Sequence, residues 1–125
     1  MCLSCRARRY KKKRNWVTGY KILRRTPLGW RSQLSSQKWE FAKLIKAIDP
    51  RITKFRGDFC DFYENGIHAW KKFSFIKKHR VYLRSKGRIV KVLLFGVTHR
   101  DSITYRADAA IIVEVLDRSG HRIPW

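Results

Sequence analysis

The sequence predicts a single α+β domain with a small, mostly antiparallel sheet, one or two short helices and a basic N-terminal arm. Three observations lead to this fold class: two apolar runs of strand length, helix-like spacing in two other stretches, and cationic residues crowded at the N-terminus. A length of 125 residues is typical of one domain. We divide the chain into a basic arm at residues 1–16, an α+β domain at residues 17–118 and a C-terminal tail at residues 119–125.

The apolar runs at Arg88–Phe95 and Ala110–Leu116 predict the two central strands. Only Lys91 interrupts the first run, and Glu114 is the one charge in the second. Short runs that are apolar on both faces suit strands inside a sheet rather than at its edge. The sequence also predicts a first strand at residues 15–23 and a loop at residues 28–36.

Residues 37–48 fit two interpretations, of which the spacing favours a helix. In that helix Ser36 would be the N-cap and Asp49-Pro50 would follow the last turn. Its apolar face would comprise Phe41, Leu44, Ile45 and Ile48. The same residues could instead form two short extended segments. A second short helix is predicted to end at His79, with Ala69, Phe73 and Ile76 as its buried stripe.

The charge of the chain is strongly unbalanced. There are 30 Lys and Arg against 9 Asp and Glu, which gives a formal net charge of +21. Such an excess favours a polyanionic partner, and nucleic acid is the commonest one. The arm would supply contacts to the phosphate backbone through Arg6, Arg8, Arg9, Lys11, Lys12, Lys13 and Arg14.

A second basic region lies on predicted regular structure and would form a fixed patch. Its candidate nucleic-acid-binding residues are Lys71, Lys72, Lys77, Lys78 and Arg80. Aromatic side chains next to basic ones can stack on unpaired bases. Tyr10, Trp16 and Trp30 are the candidates for such stacking, although each could equally be a core residue.

Sequence features that would indicate catalysis or a cofactor are weak. Cys2-x-x-Cys5 is half of a zinc site, and the usual second pair of ligands is missing. The acidic patch Phe55–Asn65 is better explained as a polar loop than as a metal site. We therefore expect a non-enzymatic protein without catalytic residues, metal or cofactor. The sequence lacks a secretory signal and a membrane-length apolar run, so we expect a cytoplasmic protein that does not bind membranes.

The order of several short motifs resembles a diffuse group of small bacteriophage proteins. That group shows a "YKVL" strand, a "GxH" turn with an aromatic residue, a helix, a "VVKV" strand and an "AxxIIV" strand. The matching segments here are residues 19–23, 66–70, 89–92 and 107–113. The resemblance implies a virus-encoded accessory protein in the host cytoplasm, and it implies that residues 37–48 are extended. The strand–turn–helix–strand order also resembles ADP-ribosyltransferase folds, in which His68 would be the residue to test.

From these observations we expect an accessory protein that binds RNA or a nucleoprotein, mainly through the phosphate backbone. Three alternatives remain. The protein could inhibit a host or defence complex by contacting an acidic protein surface, it could be a ribosomal or other ribonucleoprotein subunit, or it could be an ADP-ribosyltransferase-like enzyme.

Overall fold

The computed structural model describes residues 8–9, 16–27, 29–32, 37–47, 54–56, 61–63, 66–78 and 87–125. Within them the chain forms one helix, α1 (Phe73–Lys78), and eleven strands. The strands are β1 (Arg8–Arg9), β2 (Trp16–Thr26), β3 (Gly29–Ser32), β4 (Lys38–Trp39), β5 (Leu44–Lys46), β6 (Lys54–Arg56), β7 (Asp61–Tyr63), β8 (Ile67–Trp70), β9 (Arg88–Arg100), β10 (Thr104–Leu116) and β11 (Arg122–Ile123).

The sheet is built around the long antiparallel hairpin of β9 and β10, each of which has 13 residues. Both predicted central strands are confirmed, but each is longer than its apolar run. The chain turns between them at residues 101–103, where the Asp101 carboxylate accepts hydrogen bonds from the amides of Ile103 and Thr104 at 2.8 and 2.7 Å. Strand β2 pairs with the other side of β9, so β9 is an interior strand as its sequence predicts.

The sheet closes on itself through β8. This strand pairs with β10 along four residues, and it also meets β2 at the single pair Tyr20–Trp70. Because β2 already pairs with β9, the four strands β9, β10, β8 and β2 form a closed hydrogen-bonded circuit. Strands β5 and β11 extend the sheet along β10, and β3 and β4 extend it from β2.

Two apolar clusters stabilise this arrangement. The larger one, here called the closed-sheet core, joins residues of β2, β8, β9 and β10 to Trp39 of β4 and Ile45 of β5. The smaller one, the helix-side core, comprises Ile22, Trp70, Ile76, Ile89 and Leu116. The helix α1 contributes the fully buried Ile76, which stabilises the fold by roughly 1.5–3 kcal/mol through burial of that side chain.

The predicted α+β fold class is wrong, because the described chain is mostly antiparallel sheet and its one helix has six residues. The helix predicted at residues 37–48 is replaced by β4 and β5. Leu44 and Lys46 are exposed while Ile45 between them is buried, which is the alternation of a strand. Ala42 has a φ of 59°, which is incompatible with a continuing α-helix. The extended interpretation of this stretch is therefore the correct one.

Three further features differ from the sequence prediction. The loop predicted at residues 28–36 contains β3, whose residues pair with β2 and β4. The predicted second helix exists as α1, but Ala69 of its expected buried stripe belongs to β8 instead. The segment predicted as a C-terminal tail contains β11, which pairs with the end of β10.

Gly19 allows the close approach of β2 and β8 beside the Tyr20–Trp70 pair. A Cβ at this position would lie 2.9 Å from Leu94 Cδ1 and 3.0 Å from Ala69 Cβ. We expect Gly19→Ala to destabilise the protein by about 1–3 kcal/mol, because the added methyl group would overpack the closed-sheet core. Urea unfolding measures this loss. Leu94→Val removes the atom nearest to the added Cβ and should therefore reduce the penalty of Gly19→Ala. Strictly additive losses of the two substitutions would contradict the proposed clash.

Two described segments lie apart from these contacts. Strands β6 and β7 pair with each other as a separate two-stranded sheet, so residues 55–65, predicted as a polar loop, contain paired strands. Among the described residues, no helix has the length and apolar character needed to cross a membrane.

Candidate nucleic-acid interface

A surface pocket of about 350 Å³ combines indole rings with guanidinium groups; we call it the tryptophan pocket. It is lined by Arg25, Thr26, Pro27, Gly29, Trp30, Arg88 and Trp125. The Arg88 Cζ atom lies 4.6 Å from the Trp30 ring centroid and 5.7 Å from that of Trp125. The Arg25 Cζ atom lies 5.9 Å from the Trp30 centroid. These distances are within the range of cation–π attraction, which holds both arginines against the rings.

The hairpin of β2 and β3 positions one wall of this pocket. Arg25 lies directly opposite Trp30, and Thr26 lies opposite Gly29. The Thr26 hydroxyl donates a 2.7 Å hydrogen bond to the Gly29 carbonyl oxygen, which fixes the turn. The short connection therefore presents Arg25 and Trp30 as neighbours on one face of the sheet.

The opposite wall depends on the turn after β10, which brings Trp125 back to Trp30. The Asp117 carboxylate accepts hydrogen bonds from the amides of Ser119 and His121 at 2.8 and 2.9 Å. The bond from His121, followed by that from Ser119, holds the pKa of Asp117 below its usual value. Strand β11 then pairs with β10, and the Trp125 ring lies 6.0 Å from the Trp30 ring.

The other face of β2, β3 and β4 carries a row of cations. Arg24 of β2 lies opposite Arg31 of β3, which lies opposite Lys38 of β4. Like charges directly opposite each other in a sheet repel. Lys38 lies 3.9 Å from Glu40, which is an exposed pair with little effect on stability.

A second cationic region lies at the far end of β9. Arg8 and Arg9 of β1 pair through their backbones with Arg100 and His99. Lys71 lies near the same end: burial, and then the charge of Arg100, lower the pKa of Lys71, while Asp101 acts to raise it. Its ammonium group lies 5.2 Å from the Tyr105 ring centroid. The structure thus brings part of the predicted arm and part of the predicted second patch to one place.

Lys21 is a buried cation that the sequence does not reveal. It lies in β2 with 8% exposure, and its Nζ donates a 2.6 Å hydrogen bond to the His68 carbonyl oxygen. The same Nζ lies 5.7 Å from the Trp39 ring centroid. Burial lowers the pKa of Lys21 from 10.5 to about 8. With so little exposed surface, Lys21 acts on the stability of the sheet rather than on a ligand.

Arg106 is also buried, with 0% exposure, and lies opposite His68 on β8 and His99 on β9. Its Nη1 donates hydrogen bonds to Asp108 Oδ1 at 2.6 Å and to Thr98 Oγ1 at 3.0 Å. These contacts make Arg106 a structural cation that ties the two long strands together. His68 is 4% exposed, so its position gives no support to the ADP-ribosyltransferase alternative, which requires this side chain to reach a substrate.

The predicted site residues fall into three groups. Lys71 and Lys72 are described with their side chains, and the Lys72 ammonium lies 6.0 Å from the Phe75 ring centroid. Trp16 is 43% exposed in β2, and Trp30 lines the tryptophan pocket. For Arg8, Arg9, Lys77 and Lys78 the backbone alone is described. The residues outside the described part of the chain are Arg6, Tyr10, Lys11, Lys12, Lys13, Arg14 and Arg80, together with Cys2, Cys5 and Cys60 of the weak zinc motif.

Among the described residues, no three His, Cys, Asp or Glu side chains come together as metal ligands. The cationic and aromatic residues of the tryptophan pocket that the sequence prediction missed are Arg25, Arg88 and Trp125. Arg25 and Trp30 flank a Thr-Pro-Leu-Gly turn, and this signal could have identified them as cross-strand neighbours. Nothing local in the sequence indicates that Trp125 contacts either of them.

Fold and site together define the class: a small, mostly antiparallel β protein with a basic surface in which arginines lie against the half-buried Trp30 and the exposed Trp125. No protein-family model, curated protein or solved structure matches the chain. We therefore base its function on the geometry of the described residues.

Proposed function

We propose that this protein is a non-enzymatic nucleic-acid-binding accessory protein that holds its ligand mainly through the phosphate backbone. The observation that carries the proposal is the tryptophan pocket, where Arg25 and Arg88 are held against Trp30 at the protein surface. A fixed guanidinium loses less conformational entropy when it binds a phosphate than a mobile one does. RNA or a nucleoprotein is the proposed ligand. We further propose a viral origin, on the resemblance of its motif order to that of small bacteriophage proteins.

The distribution of charge supports a ligand longer than one nucleotide. Cations lie at both ends of the 13-residue strand β9, with Arg88 at its start and Arg100 at its end. At roughly 3.3 Å per residue these ends are at most about 40 Å apart. The net charge of +21 attracts any polyanion over a long range, so sequence-independent affinity of about 10⁻⁴–10⁻⁶ M at physiological salt is expected.

Removing the pocket cations should weaken binding and reduce its salt dependence. For the Arg25→Gln/Arg88→Gln variant we expect the magnitude of the slope of log K against log salt to fall by about 1.4, because two phosphate contacts are lost and each contributes about 0.7 on a single strand. Fluorescence anisotropy with a labelled 20-nucleotide RNA at several salt concentrations measures this slope.

The control for this experiment is Lys46→Gln together with Arg118→Gln, which also removes two positive charges but at exposed positions that do not line the pocket. Arg88→Lys keeps the charge but loses the flat guanidinium that stacks on Trp30, so it should retain the slope and bind more weakly. Wild-type binding that stays constant from low to high salt would contradict the proposed function.

A second candidate function is contact with an acidic protein surface of a host or defence complex. Exposed large apolar side chains favour it, because such residues are enriched where proteins meet. They are Trp16, Phe41, Leu44, Ile123 and Trp125. A complex with a defined acidic protein that persists after nuclease treatment would support this alternative, and a complex that dissolves on nuclease treatment would exclude it.

A further inference from the structure

Three aromatic rings of the pocket region form a continuous row, here called the ring row: Trp30, Trp125 and Phe41. The Trp30 and Trp125 centroids are 6.0 Å apart, and so are those of Trp125 and Phe41. Both spacings are typical of aromatic rings in contact. The row is built from three distant parts of the chain, since Trp30 is in β3, Phe41 lies between β4 and β5, and Trp125 follows β11.

The row is open to solvent rather than covered. Phe41 is 43% exposed and Trp125 is 41% exposed, whereas Phe and Trp are among the residues that folded proteins bury most. Trp30 is half-buried and packs against the closed-sheet core, so it anchors the row to the fold. The interplanar angles are 53° for Trp30 with Trp125 and 36° for Trp125 with Phe41. Because neighbouring rings are tilted and 6.0 Å apart, there is no room for a flat ligand between them, so such a ligand would have to stack on the outer surface of the row.

Cations accompany the row at its Trp30 end. Arg88 lies within 6 Å of two of the three rings, at 4.6 Å from the Trp30 centroid and 5.7 Å from that of Trp125. A nucleotide presents a flat apolar base and an anionic phosphate close together. The ring row with Arg88 offers the complementary pair of surfaces.

We propose that the ring row stacks the unpaired bases of single-stranded nucleic acid, so that this protein prefers single strands to duplexes. This inference rests on the proposed function and adds the structural class of the ligand. In a duplex the faces of the bases are already stacked on one another, and its phosphates remain the accessible part. Cationic residues alone bind both forms, whereas exposed rings discriminate in favour of the single strand.

The test compares three probes with the same number of phosphates: a 12-nucleotide single strand, a hairpin duplex, and an abasic strand that keeps the backbone and lacks the bases. Wild-type protein should bind the normal single strand at least about tenfold more tightly than the abasic strand, with the same salt slope for both. The salt slope reports the phosphate contacts, and the difference in affinity reports the bases.

The matched variants are Phe41→Ala/Trp125→Ala and Leu44→Ala/Ile123→Ala. Both remove two exposed apolar side chains from the same region, with exposures of 43% and 41% in the first pair and 48% and 37% in the second. The first variant should lose about tenfold or more in affinity for the normal strand, while its binding of the abasic strand and the duplex changes by less than about twofold. The second variant should bind all three probes like wild type. Thermal unfolding confirms that both variants remain folded.

The outcomes separate this inference from the proposed function. Equal, salt-dependent binding of all three probes would overturn the stacking role and leave the proposed function intact. Failure to bind any of the probes at low salt would overturn both. Trp125→Phe, which keeps an aromatic ring, should restore most of the affinity lost in Trp125→Ala, and a loss equal to that of alanine would also contradict stacking.

Discussion

Replacing Gly66 with alanine is expected to destabilise the protein by roughly 3–5 kcal/mol, the largest loss among the substitutions considered. Gly66 has a φ of +96°, a conformation that costs other residues roughly 1–3 kcal/mol. A Cβ there would lie 2.5 Å from Nε and 2.6 Å from Cζ of Arg106. The guanidinium cannot move aside cheaply, because it is fully buried and bonded to Thr98 and Asp108. Hydrogen bonds of charged groups contribute roughly 1.5–3 kcal/mol each.

Gly29→Ala is the matched control for this prediction. Gly29 also has a positive φ, +111°, but the nearest atom to its added Cβ is Lys38 Cε at 3.8 Å. The two variants therefore share the backbone strain, and only Gly66→Ala displaces a buried side chain. Urea unfolding should show a clearly larger loss for Gly66→Ala, and combining it with Arg106→Met should reduce its penalty to that of the control. Equal losses for the two glycine variants would contradict the role assigned to Arg106.

The second large effect concerns the pH dependence of stability through Lys21. Its folded-state pKa of about 8 lies below the ordinary value of 10.5. Below about pH 8 both the folded and the unfolded protein carry the proton, so the folded state retains the cost of the buried charge. Between pH 8 and 10.5 the folded protein releases this proton first, and stability rises by about 1.4 kcal/mol per pH unit. The total gain is roughly 3 kcal/mol, and it is complete above pH 10.5.

Lys21→Met should remove this dependence. At pH 7 the variant should be more stable than wild type by about 1–3 kcal/mol, less whatever the lost hydrogen bond to His68 contributes. The difference should shrink as the pH approaches 10. Guanidinium unfolding of both proteins at several pH values measures it, and subtracting the two curves cancels the titration of the other lysines. Lys46→Met, which removes an exposed lysine of β5, should leave the wild-type pH dependence unchanged. A constant difference between wild type and Lys21→Met across this range would contradict the buried position of the amine.

The predictable part of the fold is the part in which apolar residues run without interruption. β9 and β10 follow from their apolar runs, and β2 follows from Val17, Ile22 and Leu23. Their full length could not be predicted, because the hairpin continues through polar residues. Arg106 is buried and pairs with the half-buried His99, and Thr98 lies at the irregularity beside this pair. The prediction of a helix at residues 37–48 was wrong because it took the spacing of Phe41, Leu44 and Ile45 for a buried helical face. In the structure only Ile45 of these three is buried, and Phe41 and Leu44 face solvent.

The candidate site was only partly predictable for a related reason. Trp30 could be proposed for base stacking because it lies among basic residues in the sequence. Whether it is a core or a surface residue, however, depends on which residues are its neighbours in space. Trp125 contacts Trp30 only because of the turn at Asp117 and the pairing of β11. The two tryptophans are 95 positions apart in the sequence. Lys21 lies between Tyr20 and Ile22, where a strand pattern places a charge outward, and the closure of the sheet buries it instead. Long-range pairing, which no local pattern contains, decides each of these positions.

The separation of cations along β9 also has a consequence for how affinity depends on the size of the ligand. A short oligonucleotide can occupy one end of the strand at a time, whereas a polymer that reaches from Arg88 to Arg100 is tethered at the second end once the first is bound. The second contact is then intramolecular and forms at a high effective concentration of the ligand. Under the proposed function, the protein should thus behave as a bivalent clamp that selects for ligand length.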